Sequence, residues 1–256
     1  MTLAMADIVG WIGSFMWPFF RFSAMMLVAP FFSARTIPVR IRILLAVFIS
    51  LLVAPNLQSP DVQLLSAAGF GLLLQQILIG VLLGLVLQAV FASVVIAGQT
   101  VATSMGLGFA SAVDPQNGIQ VTIVGQFYLI LATLIFLALD GHLVMIGILA
   151  GSFQAAPLGS AILSVQLVWE VVVWCGGMFT SAVLVSLPVV VGVLMVNLAL
   201  GIVTRAAPQL NIFAVGFPVT ILAGFVLLLL ALPSLQPLLL SLFERNFAFM
   251  NQLVTP

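Results

Sequence analysis

The sequence predicts an all-α membrane-associated protein of helical hairpins, with long, kinked and half-length apolar helices, and three observations predict it. Of its 256 residues 64% are hydrophobic and only 5% are charged, where ordinary soluble domains carry roughly 25% charged residues. Several apolar runs reach or exceed the ~20 residues that a hydrocarbon core requires. Those runs differ widely in length and are separated by Gly, Pro and short polar stretches. The same composition excludes a soluble enzyme. Six basic and six acidic residues balance to zero net charge, which leaves no electrostatic footprint for a nucleic acid. Cys175, the single cysteine, excludes an internal disulfide and a thiolate metal cluster.

The N-terminus lacks the basic start of a secretory signal and is expected to belong to the mature chain. The first apolar run, residues 8–32, is long enough to cross a membrane but holds Arg21 and is bent or ended by Pro18 and Pro30. A basic loop with Arg35, Arg40 and Arg42 follows. Residues 43–54 are too few to cross at helical rise and stop at Pro55, so they are expected to form a half-length arm. Residues 62–113 contain no charge, yet one straight helix through all of them would reach about 78 Å. The run must therefore break, most naturally in the glycine-rich stretch 106–118, before a further span over 119–139. Asp140, Gly141 and His142 punctuate that span, and residues 151–164 read as a surface or interfacial connection. Residues 165–204 predict a kinked or tilted helix through Pro188. Residues 205–211 predict a polar turn, residues 214–232 a last span closed by Pro233 and Pro237, and residues 238–254 an amphipathic tail. The arginines between 35 and 42 place their loop on the cytoplasmic side, and the alternating count places Arg205 there as well.

Chemistry-bearing residues are sparse. Asp140 and His142 fit a solvated turn better than half of a catalytic pair, and Cys175 fits a packing role. A charge at a span centre costs about 2.5–3.5 kcal/mol on insertion scales. Arg21 is thus expected to reach the interface or to pair with an acid, and Glu170 to lie at the interface. Gln75, Gln76, Gln88, Gln99, Gln126 and Asn197 need partners, either as glue between helices or facing a lumen or a neighbouring subunit. Gly80 with Gly84, and Gly147 with Gly151, have the spacing that lets helix backbones approach.

The most unusual stretch is MGLGFASAVDPQNG, residues 105–118. Its glycines open backbone angles closed to other residues, and Asp114 before Pro115 suits the start of a helix. Irregular backbone between apolar spans is tolerated where protein or water surrounds it; the plain alternative is a connecting loop at the membrane surface, against which the apolar side chains argue.

GFASAVDPQNG (108–118) and NLALGIVTRAAPQLNIFAVGFPVTI (197–221) resemble the signature segments of the FliR/SctT family, the flagellar and injectisome type III export-gate proteins. The resemblance runs along essentially the whole chain and is nearer the flagellar form. It implies a channel subunit in a helical multi-protein assembly with FliP-like and FliQ-like subunits. FlhB-like and FlhA-like export components, unfolded flagellar protein substrates and membrane lipid are the other partners implied. It implies a place in the bacterial inner membrane within the flagellar basal body, and no catalysis, cofactor, metal or nucleic acid. It divides the single domain 1–256 into a FliP-like part, 1–150, and a FliQ-like hairpin part, 151–256. A loop that plugs the closed pore maps onto Gly106, Gly108 and Gly118, the apolar Leu107, Phe109 and Val113, the small Ala110, Ser111 and Ala112, and the polar end Asp114, Pro115, Gln116 and Asn117. Arg205, Pro208, Gln209 and Asn211 become the tip of the C-terminal hairpin. The rival expectation is a small-molecule or ion transporter, which calls for binding residues at mid-membrane from broken helices.

Overall fold

A computed structural model describes residues 5–33, 37–57, 66–108, 122–155, 157–158, 164–207 and 212–254. Among these residues every regular element is a helix: α1 (Met5–Val28), α2 (Val39–Val53) with a 3-10 turn (Ala54–Asn56), α3 (Ala67–Ser104), α4 (Ile123–Ala138), α5 (Gly141–Ala155), α6 (Val165–Ala206) and α7 (Ile212–Val254). Four helical segments are long and apolar enough to cross a membrane, or five if α4 and α5 count as one broken span. The protein is accordingly all-α, with the apolar helices of a membrane protein.

Helix α2 begins directly after Pro38, whose extended backbone (φ −58°, ψ 142°) cannot continue a helix backwards. Arg40 and Arg42 therefore belong to the helix and not to the expected loop, and the Arg42 guanidinium donates to the Ile37 carbonyl at 2.9 Å. With its 3-10 turn the arm reaches 18 residues at a mean hydropathy of 1.8, so it has the length of a crossing that residues 43–54 alone lack. Helix α3 runs unbroken for 38 residues and stops where its glycines begin, as expected.

The break between α4 and α5 falls at Asp140, whose φ of 51° lies in the left-handed region that Asp tolerates better than most residues. Its carbonyl accepts from the amides of Leu143 and Val144 and so starts α5. His142 sits in the first turn of α5, its ring centroid 6.1 Å from that of Phe31. Residues 151–155 complete this helix, with Ser152 and Phe153 buried, which corrects the surface connection expected there. Gly141, Met145, Ile148, Leu149 and Ser152 form its buried stripe, and a free surface loop has no such stripe.

The expected stop at Pro233 is also overturned. Helix α7 continues for 43 residues through Pro218, Pro233 and Pro237, and α6 for 42 through Pro188. A proline removes one backbone donor, but in apolar surroundings leaving the helix would free several backbone groups at once. The tail does bury one face: Leu235, Leu239, Leu242, Phe243, Asn246, Met250 and Val254 are covered, at the spacing of an amphipathic helix.

Contacts divide the chain into two compact units. One comprises Met1–Ala89, Asp140–Cys175 and Glu244–Pro256. In it α3 lies against α1 through the first glycine pair. A Cβ on Gly80 would strike the Arg21 carbonyl and come within 3.0 Å of the Ala24 Cβ, and one on Gly84 within 2.9 Å of the Val28 Cβ. Gly147 and Gly151 have no atom within 4 Å of that position, so the second pair makes no close approach. Trp174 and Phe249 stack at 4.2 Å and 10°. The other unit comprises Val90–Leu139 and Gly176–Phe243. Its core is a ring cluster of Phe91, Phe136 and Phe243, with centroids 5.5–5.6 Å apart, the spacing at which aromatic edges meet faces.

Candidate functional site

Of the expected plug loop, Gly106, Leu107 and Gly108 are described, and Phe109 to Gly118 lie outside the described residues. The structure does show how the loop leaves α3. The Gly106 amide donates to the Thr103 carbonyl at 3.0 Å and the Leu107 amide to the Ala102 carbonyl at 2.9 Å. With Gly106 at φ +86°, this is the Schellman ending of a helix. Two orphan carbonyls are satisfied at the cost of one left-handed residue, which glycine adopts without strain.

Two positions on α7, Gly224 and Phe217, hold this exit in place. Met105 is fully buried and fills the notch left by Gly224, where a Cβ would lie 2.5 Å from its Cγ. Phe217 covers Gly106, with its Cε1 3.0 Å from where a Cβ would stand. Phe217 and Gly224 are two helical turns apart and share one face of α7, with Thr220 between them. The Asn197 side chain on α6 meets the Thr220 hydroxyl at 3.1 Å, which gives this expected amide its partner.

The other foot of the loop is pinned close by. Thr122 caps α4, its hydroxyl accepting from the Gly125 amide at 3.2 Å. Gly125 in turn faces Gly98 on α3, where a Cβ would lie 2.5 Å from the Gly125 Cα. The chain thus leaves α3 and returns to it within two helical turns, both stems held by glycine contacts. The described residues on either side, 106–108 and 122–125, are held in the same part of the protein. Gly98 and Gly125 were not singled out in the sequence, because glycines 27 residues apart form no local pattern.

At the expected hairpin tip, Arg205 occupies the last turn of α6 and is exposed. A cation there complements the helix dipole. Pro208, Gln209 and Asn211 lie outside the described residues. Elsewhere Glu170 is exposed and accepts from Gln166 at 3.3 Å, and Gln88 and Gln126 are exposed.

Comparison with known proteins shows which family the chain belongs to. A family model described as "Bacterial export proteins, family 1" matches residues 12–246. The chain belongs to that family. A flagellar biosynthetic protein FliR of Pectobacterium carotovorum subsp. carotovorum is 42% identical over 256 residues, covering 100% of this chain and 98% of the relative. The FliR of Escherichia coli (strain K12) is 34% identical over 247 residues, 96% of this chain and 95% of its own. That of Bacillus subtilis (strain 168) is 30% identical over 253 residues, 98% of each. These matches agree with the resemblance carried by residues 108–118 and 197–221, and they make the chain a bacterial export protein of the flagellar biosynthetic type.

Proposed function

We propose that the chain is a core channel subunit of the flagellar type III protein-export gate, passing unfolded flagellar proteins outward through the bacterial inner membrane at the flagellar basal body. The observation that carries the subunit reading is the outer face of α6. Val168, Val172, Phe179, Val183, Leu187, Val191, Leu194, Leu198 and Ile202 are all exposed, at helical spacing along nearly the whole element. Its 42 residues rise about 63 Å, against a hydrocarbon thickness of about 30 Å. Lipid can cover only half of such a stripe, and the remainder calls for other protein chains. FliP-like and FliQ-like subunits are the proposed neighbours, with FlhB-like and FlhA-like components at the cytoplasmic side. Residues 1–150 correspond in this reading to a FliP-like part and 151–256 to a FliQ-like hairpin whose tip is formed by Arg205, Pro208, Gln209 and Asn211.

The chain makes and breaks no bonds in this reading. Residues 106–118 close the resting pore, where the apolar Leu107, Phe109 and Val113 exclude water from a narrow constriction. The support is the anchoring of both loop feet, at Gly106 and at Thr122 and Gly125. Intact-complex mass measurement after gentle extraction tests the reading. We expect the chain, 27.1 kDa by itself, to emerge in a far heavier assembly with companion subunits. A stable monomer without companions would overturn it.

A further inference from the structure

Arg21 is the buried charge that neither export nor plugging accounts for. It is 1% exposed, and among the described residues no carboxylate lies within ion-pair reach of it. Its Nε donates to the Gln76 Oε1 at 2.8 Å and one terminal nitrogen to the Ser152 Oγ at 2.7 Å. Its guanidinium carbon stands 3.8 Å over the Phe153 ring. Ser152 spends its own proton on the Leu149 carbonyl, so its oxygen is free to accept. One α1 side chain therefore joins α3, through Gln76, to α5, through Ser152 and Phe153. On the α3 side Gly80 and Gly84 follow Gln76 at four-residue steps and press backbone against backbone. On the α5 side, Arg21 and the neighbouring Phe22–Phe153 contact at 6.3 Å join the two helices. The grip on α3 is backbone against backbone, whereas the grip on α5 is made by side chains alone, a hydrogen bond to a neutral hydroxyl and contacts with the Phe153 ring.

Such a grip is unusual. A buried cation is normally paired, because an uncompensated one costs several kcal/mol, and bonds between charged partners are roughly twice as strong as neutral ones. A carboxylate at position 76 or 152 would have made a permanent clamp. Helix α5 also starts at the left-handed break at Asp140, so it is hinged at one end and held by Arg21 near the other. Twelve residues separate hinge and grip, a lever of about 18 Å. We infer that Arg21 is a positioning residue of the export gate: a releasable latch that holds α5 against α1 in the resting state and lets go when the channel opens. This rests on the export-gate reading. The neutral partners keep the latch weak enough to open, and the fork and flat face of arginine, which lysine lacks, let one side chain bind both helices.

Gln76→Glu supplies the missing counter-charge in place and tests the latch. In the complete assembly the variant should resist thermal dissociation better than the unaltered complex. It should also secrete about tenfold less flagellar protein, because a tighter closed state lowers the open population in proportion. A support with no moving role would give the added stability without the loss of secretion, and that result overturns the inference. If Gln76→Glu fails to assemble, Ser152→Ala decides. Losing one acceptor on α5 should leave assembly intact and make resting membranes leakier to small ions, and an unchanged permeability overturns the latch. Removing the whole chain is the control that separates the two readings. If secretion survives its removal the export reading itself has failed, whereas normal secretion by Gln76→Glu alone condemns only the latch.

Discussion

Gly98 shows how much a single carbon decides in this protein. A methyl group there would stand 2.5 Å from the Gly125 Cα and 2.8 Å from its nitrogen, and backbone cannot step aside as a side chain can. Gly98→Ala should therefore force α3 and α4 apart at the feet of the loop, at a cost of about 1–3 kcal/mol or more. Gly147→Ala, with open space around it, should cost nothing and gain about 0.5–1 kcal/mol in helix propensity. Thermal dissociation of the assembled complex distinguishes the pair, and equal behaviour of the two variants would contradict the packing described. The spacing rule marked Gly80, Gly84, Gly147 and Gly151 alike, and contact alone shows that only the first two are used. Arg21 teaches the same lesson: the apolar stretch around it predicted a head at the interface or an acidic partner, but it is buried and its partners are uncharged side chains 55 and 131 residues away.

At the scale of elements, the sequence was most informative where backbone chemistry is local. The end of α3 at the first of a series of glycines was readable because a left-handed cap needs glycine. The run of α7 through three prolines was not, since proline ends a helix in water more reliably than in apolar surroundings. The continuation of α5 through residues 151–155 was hidden for a related reason, as Gly and Ser inside a helix look like a loop when the buried stripe is unseen. The loop between α3 and α4 carries the sharpest expectation at this scale. With both stems pinned, deleting residues 108–112 should leave assembly unchanged and open the resting pore to small ions and dyes. Phe109→Ala should give a weaker leak of the same kind, because one large apolar contact is lost while the loop remains. Dye entry into intact cells or vesicles measures both, and a loop-deleted complex as tight as the original would return the loop to a plain connector.

For the molecule as a whole, composition announced a membrane protein and two sequence segments announced a family. What lay beyond both was how incomplete the chain is by itself. The exposed apolar stripe of α6 and the face of α2 with Leu44, Phe48, Leu51 and Leu52 exposed are surfaces that no described residue of this chain covers. Periodicity shows that a helix has an apolar face, but which protein or lipid covers it is a property of the assembly. In the proposed reading, the assembly exports flagellar proteins and needs this chain to do so. The most direct measurement is the amount of flagellar protein released into the medium by cells that lack the gene, with and without the chain supplied back. Release should fall to background without the chain and recover fully with it; release at the normal level in its absence would overturn the export function.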